Sequence, residues 1–339
     1  MAKVKDIAGL DCAGPADRMV RLVLRAQLRA MCRFRDKALD WKDPEGVHDM
    51  RVLSRRLRSV ISDLKPYLRK ATLPRLKLRA IANSLGDVRD EDVALMALEE
   101  LKSKAKGAAA EGIEMLAEEC RKRRKEARAA LRSGIKKAAV DDFRKEFLAK
   151  LRTVAIVFPK KSRGKETDDA GPSFRNVGVE IIKARLKDFS VASPHLYLPF
   201  EIKDLHELRI LAKRLRYAIE LVAICWGEEL EAIAKEIALL QTSLGELHDC
   251  DVWINSLGSR LRRTARKTKS DVDILKLRQG AAWLLKHFAR ERMEHYRDAL
   301  ARWEQWQADG FLEGLLLILD RDLLPAKQAA KVHVSVNPS

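Results

Sequence analysis

Along most of the chain, apolar residues recur every three or four positions with polar residues between them, and runs of β-branched residues are few. Only 10 prolines and 16 glycines interrupt the pattern. The spacing predicts an all-α protein with helices over 16–40, 45–65, 74–86, 90–104, 110–148, 173–190, 202–226, 228–244, 250–264 and 271–308. The stretch FPKKSRGKETDDAGPS (158–173) has almost no apolar residue and reads as a linker. It separates a first helical bundle (16–157) from a second (174–308), each of about four helices plus extensions. The last residues, 325–339, lack periodicity and read as a flexible tail.

Two of these helices share more than an apolar stripe. HDMRVLSRRLR (48–58) recurs as HELRILAKRLR (206–216), and LGDVRDEDV (85–93) recurs as LGELHDCDV (244–252), in the same order and at nearly the same separation. The halves therefore read as one helical unit duplicated. At about 100° per residue, Met50, Leu53, Leu57, Val60, Ile61 and Leu64 fall on one side. His48, Arg51, Arg55 and Arg58 fall on the other. The second copy sets Leu208, Leu211, Leu215, Ile219 and Val222 against His206, Arg209, Lys213 and Arg216. A solvated helix face normally mixes acids with its bases, yet no acid enters these arcs before Glu220. Stacked cations without relief point to a bound anion.

Further stripes lie at helical spacing: Arg18, Arg21, Arg25 and Arg29 on the first helix, and Arg121, Arg124, Arg128 and Arg132 on the fifth. The fifth-helix stripe includes Glu126 nearby and reads equally well as an exposed ridge. The opening helix of the second half scatters Arg175, Lys183, Arg185 and Lys187 around its circumference. In the paired LG segments, Gly86 and Gly245 suit helix C-caps, and Asp90 and Asp249 suit N-caps of following helices. Arg89 and His248 occupy the same corner and could turn toward a ligand.

Charge sharpens the anion reading. The 339 residues carry a formal charge of +18, which points to a polyanion such as nucleic acid, polyphosphate or anionic lipid. No apolar run is long enough for a membrane span and no apolar signal core opens the sequence, so a cytoplasmic protein without membrane contact is expected. The five cysteines (12, 32, 120, 225, 250) show no C-x-x-C spacing and read as core or incidental thiols.

The paired H-x-x-R-[VI]-x-x-[RK]-R-L-R helices and paired L-G-x-x-[RH]-D-x-D-V segments resemble the conserved histidine α-helical domain (CHAD) family over about residues 16 to 308. The resemblance implies two four-helix bundles related by pseudo-twofold symmetry, a basic surface or channel, and binding of inorganic polyphosphate, with polyphosphate granules as the expected place of action. Carried over by position, it assigns the anion to His48, Arg51, Arg55, Arg56 and Arg58, and to His206, Arg209, Lys213, Arg214 and Arg216. Arg21, Arg25, Arg29 and Arg89 are added from their stripes and corner. Lys213 departs from the arginine of the first copy and grips phosphate as a point charge.

An enzyme is disfavoured. The sequence has no G-x-x-x-x-G-K-[ST] loop, no G-x-G-x-x-G turn, no H-E-x-x-H helix and no E-x-E-x-K motif. His48-Asp49 and His248-Asp249 are a weak sign of a metal-dependent phosphohydrolase, because neighbours on a helix diverge by about 100° and make poor chelates. A binding module without cofactor or metal is expected. Nucleic acid is the rival partner, but aromatics are only 6% of the chain and Tyr217 alone falls near a motif arc, whereas single-strand binders interleave stacking rings with cations. Trp226, Trp253 and Trp283 read as core, with Trp303 and Trp306 open. Protonation of His48 and His206 is expected to strengthen anion binding as pH falls toward 6. The sequence indicates no protein partner and no oligomeric state.

Overall fold

The structure, a computed structural model, describes residues 7–70, 72–158, 172–264 and 272–321. The predicted tail at 325–339, and all but the ends of the predicted linker at 158–173, lie outside the described residues. The all-α expectation holds. Eleven α-helices are present among the described residues: α1 (Ala16–Arg33), α2 (Arg35–Ala38), α3 (Pro44–Leu64), α4 (Arg75–Lys104), α5 (Ala108–Gly134), α6 (Lys137–Thr153), α7 (Phe174–Ala192), α8 (Ile202–Val222), α9 (Glu228–Thr264), α10 (Val272–Ala308) and α11 (Phe311–Arg321). The described strands are two residues each, β1 (Leu68–Arg69) and β2 (Ala155–Ile156), paired antiparallel with Leu68 opposite Ile156. None of the described helices is long and apolar enough to cross a membrane.

The chain divides into two compact units. Of the described residues, the first takes 7–10, 17–70, 72–157, 249–264 and 272–292, hence α2 to α6, nearly all of α1, and parts of α9 and α10. Of the described residues, the second takes 11–16, 158, 172–248 and 293–321, with α7, α8, α11 and the remaining parts of α9 and α10.

Three expectations about the helices are corrected. α4 runs unbroken through 85–93 and α9 through 244–252, so Gly86, Gly245, Asp90 and Asp249 are helix-interior residues and not caps. Neither glycine is among those with positive φ, the conformation a C-cap would use. An interior glycine costs a helix only about 1 kcal/mol, which packing of the neighbouring turns can offset. The helix expected over 110–148 is instead two, α5 and α6. The break falls at Ile135, which is buried and whose carbonyl accepts a hydrogen bond from Arg35 Nε at 2.9 Å, satisfying the end of α5. The short apolar run LLLIL lies in a helix that periodicity alone did not reveal, α11, with Leu315 and Leu319 buried.

In the first unit, Leu95, Leu98 and Leu101 of α4 pack with Ile113, Leu116 and Cys120 of α5 and with Leu257, Ala281, Leu284 and Phe288 from α9 and α10. Trp253 stacks on Phe288 with ring centroids 4.9 Å apart. α5 and α10 touch backbone to backbone: a Cβ on Gly112 would lie 1.9 Å from the Lys276 carbonyl oxygen, and one on Gly280 would lie 2.6 Å from the Gly112 carbonyl carbon. In the second unit Phe189 meets Trp303 edge-on at 6.0 Å, and both Trp303 and Trp306 are buried, which places them in the core.

Cysteine is a second point of correction. Cys12 and Cys225 form a disulfide inside the second unit, with Cα atoms 5.5 Å apart. Their separation of 213 residues carries no spacing signal. The segment before α1 is also held by hydrogen bonds from Phe174 N to the Gly14 carbonyl and from Arg175 N to the Cys12 carbonyl, each 3.0 Å. Cys32, Cys120 and Cys250 lie outside the disulfide.

Candidate anion-binding site

The α3 arc is built from the N-terminus of its helix. Asp43 Oδ1 accepts the Glu45 amide at 2.9 Å, and Pro44 occupies the first turn, where no intrahelical donor is needed. The helix then buries Val47, Met50, Leu53, Leu57, Val60, Ile61 and Leu64, none more than 3% exposed. His48, Arg51, Arg55, Arg56 and Arg58 are left half-buried, not fully solvated. Arg51 Nη2 lies 3.0 Å from Asp90 Oδ1 on α4, so the predicted N-cap is its ion-pair partner. Its guanidinium rests beside Gly86, 3.7 to 3.9 Å from where a Cβ would stand. Arg51 Nε is buried without a hydrogen-bond partner among the described residues. Arg89 approaches Glu45 at 4.0 Å. Burial, and then the Arg89 charge, lower the His48 pKa. Burial lowers that of Arg58 too, helped by Arg79 and Arg75, so cations crowd this end of the arc.

The α8 arc repeats the spacing with different neighbours. Leu205, Leu208, Leu211, Leu215, Ile219 and Val222 are buried. His206 Nδ1 lies 3.1 Å from Nδ1 of His248 on α9, with ring centroids 4.0 Å apart. A contact between two ring nitrogens requires one to donate and the other to accept, so two imidazolium rings cannot share it. Burial first, and then His206, Arg209 and Lys213, push His248 down to about 4. Burial, Arg209 and Lys213 also lower His206. The expected strengthening of anion binding near pH 6 is thereby displaced toward more acidic solution, because burial and neighbouring cations lower both His48 and His206. Arg209 Nε lies 3.6 Å from the Cβ position of Gly245, repeating the Arg51–Gly86 arrangement. No carboxylate of the described residues pairs with Arg209, and Arg214 is exposed.

Arg216 stands apart from the rest. It is 4% exposed, donates to Glu220 Oε1 at 2.7 Å and to Gln241 Oε1 at 2.8 Å, and lies over the Tyr217 ring at 4.6 Å. Its partners hold it inside the second unit.

The remaining cations divide in the same way. Arg21 donates to the Leu151 and Val154 carbonyls, the second at 2.6 Å, and so satisfies the C-terminal end of α6. Arg25 and Arg29 line an open cavity with residues of α2 and α6. The α5 stripe is largely neutralised. Arg124 and Arg128 share Asp92 at 2.5 and 3.2 Å, and Arg121 meets Glu114 and Glu99 at 2.7 and 3.3 Å. Trp41, which sequence reasoning passed over, lies under Arg128 and Arg132 at 5.0 and 5.8 Å.

This geometry comprises two helices, each with a histidine followed by an arginine half-buried beside a glycine of a partner helix. The pattern has a counterpart among known families: residues 22–258 match the model of the CHAD domain. The chain belongs to the CHAD domain family. Two solved structures are similar to it. The crystal structure of the CHAD domain from the plant Ricinus communis is 20% identical, with a TM-score of 0.64, covering 87% of this chain and 95% of that one. PptA from Streptomyces chartreusis is 16% identical, with a TM-score of 0.61, covering 86% of this chain and 100% of that one. At these identities the likeness speaks for the CHAD fold alone. No curated protein matches the sequence.

Proposed function

We propose that this CHAD protein binds inorganic polyphosphate without transforming it, through the basic arcs of α3 and α8, and that the two arcs descend from one duplicated unit. The observation that carries the reading is the repeated placement of Arg51 and Arg209, each half-buried beside a helix glycine, Arg51 with a donor nitrogen unused and Arg209 with no carboxylate partner among the described residues. Guanidinium donors fixed in this way suit a chain of phosphate oxygens, which needs charge-assisted hydrogen bonds and no stacking ring. His48 and His206 act as neutral partners near pH 7, and His206 can donate only through whichever ring nitrogen carries its proton. A cytoplasmic location, with polyphosphate granules as the place of action, belongs to the same proposal.

A general polyanion binder, taking nucleic acid as well, is the second reading, and the charge of +18 is what favours it. Competition between long-chain polyphosphate and single- and double-stranded DNA at several salt concentrations separates the two. Polyphosphate is expected to win at physiological salt, and equal affinity for DNA of comparable charge overturns the specific reading. Calorimetric titration then tests the arcs. Replacing Arg51 and Arg55 with Gln, or Arg209 and Lys213 with Gln, is expected to weaken polyphosphate binding at least tenfold, about 1.4 kcal/mol, and to flatten its salt dependence. Circular dichroism should show the helices unchanged. Wild-type affinity in both variants would leave the arcs without a role.

A further inference from the structure

Away from the motif helices, the first unit contains an open cavity of about 740 Å³ bounded by α1, α2 and α6. The hydrogen bonds of Arg21, near the start of α1, to carbonyls at the end of α6, and of Arg35, just past the end of α1, to the Ile135 carbonyl that precedes α6, set α1 antiparallel to α6. Cations line it from each element: Arg25, Arg29 and Arg33 from α1, Arg35 from α2, and Lys137, Arg144 and Arg152 from α6. Asp36 and Asp141 are the carboxylates of the lining, and Asp36 is taken by Arg35.

Along α5 of the same unit, clustered arginines are neutralised by acids. Here Arg25, Arg29, Arg33, Lys137, Arg144 and Arg152 make no ion pair or side-chain hydrogen bond with any described residue. Buried Leu28 and Val140 lie at the floor, so part of the wall is low-dielectric and the field of the cations is focused into the opening. No aromatic ring lines the cavity, which removes a platform for a base.

We propose that this basin is a second, self-contained site for a compact oligophosphate, of pyrophosphate to tripolyphosphate size, taken either as a free ion or as the end of a longer chain. The arcs of α3 and α8 offer cations along a helix, which suits an extended polymer. The basin converges cations from three helices on one volume, which suits several negative charges held close together. Folding leaves these cations facing one another, and a bound oligophosphate would relieve their repulsion. The inference does not depend on the role given to the motif helices.

Cys32 supplies a local reporter, since it lines the basin and is half-buried, whereas Cys120 and Cys250 are buried. Burial pushes its thiol up to about 11, so alkylation is slow, and an anion seated beside it would slow it further. The test uses the full chain in three forms: wild type, the exposed triple variant R29Q/R144Q/R152Q, and the motif variant R51Q/R209Q. Sodium tripolyphosphate is titrated calorimetrically, and maleimide labelling of Cys32 is timed with tripolyphosphate or with sulfate at equal ionic strength. Tripolyphosphate is expected to protect Cys32 in wild type and in the motif variant, and the triple variant should lose that protection and at least tenfold in affinity. Equal protection by sulfate, or a triple variant that binds tripolyphosphate like wild type, overturns the basin. Protection by long-chain polyphosphate at matched end concentration assigns the basin to chain ends, and protection by tripolyphosphate alone assigns it to free ions. If long chains bind no better than DNA while tripolyphosphate still protects Cys32, the motif-arc reading fails and the basin stands.

Discussion

The arcs on α3 and α8 have nearly the same sequence and different electrostatic lives. On α3 the last arginine, Arg58, is crowded by Arg75 and Arg79. On α8 its counterpart, Arg216, is buried against Glu220 and Gln241. At the other end His48 faces Arg89, whereas His206 contacts a second imidazole, His248. Arg51 pairs with Asp90, and Arg209 has no such partner among the described residues. A repeated motif thus fixes which side of the helix carries the cations, while the elements packed against it decide which of them remain available to a ligand. By this measure α3 offers its far end together with the unused Arg51 Nε, and α8 offers its beginning.

The largest expected separation lies at the far ends. Arg216→Leu strands the Glu220 carboxylate in a poorly solvated place and should cost about 3–5 kcal/mol of stability, whereas Arg58→Gln relieves repulsion and should stay within about 0.5 kcal/mol of wild type. Urea unfolding of both variants measures this, and equal losses would erase the distinction between the arcs.

Acid should separate the histidines next. His248 takes its proton at about 4 in the folded chain and near 6.5 once unfolded, so the unfolded state binds more protons between those values. Its contribution is present in full above pH 6.5 and drains away as pH falls toward 4. His248→Gln is therefore expected to lose less stability than wild type between pH 7 and pH 4, and His48→Gln should change that slope less, since no second imidazole opposes its protonation. Parallel slopes for all three proteins would show that the His206–His248 contact does not govern the titration.

The smallest effect tests what the two arcs share. If Gly86 and Gly245 are helix-interior residues, Gly86→Ala and Gly245→Ala should each stabilise by about 0.5–1 kcal/mol, because a methyl would meet the neighbouring arginine only at ordinary contact distance. Left-handed caps would respond with a loss. Thermal melts of the two variants decide between these signs.

Much of this organisation is legible in the amino-acid order. The apolar stripes of α3 and α8 are buried as their spacing predicts, because a 3.6-residue period and a core face are local properties. The misread segments share a different physics. Glycine followed by aspartate suits both a cap and a glycine-bearing turn that lies beside an arginine, and only the neighbouring helix distinguishes them. Arg216 carries its i,i+4 partner in plain view, yet its burial depends on Gln241 from another helix. The Cys12–Cys225 bond joins residues that only the fold brings together. The basin escaped notice because Lys137, Arg144 and Arg152 share a face of α6, and that face has no meaning until the chain is seen to break at Ile135.

The crossing of α5 and α10 sets a mechanical limit on this unit. With Gly112 and Gly280 in backbone contact, the two helices meet at a single notch. Sliding either by one residue, about 1.5 Å, would carry the side chain of Glu111 or Ile113, or of Gln279 or Ala281, toward a space that has no room for a methyl group. The pair therefore acts as a detent that fixes the axial register of α10 on α5, and through it the depth at which Trp283, Leu284 and Phe288 enter the core.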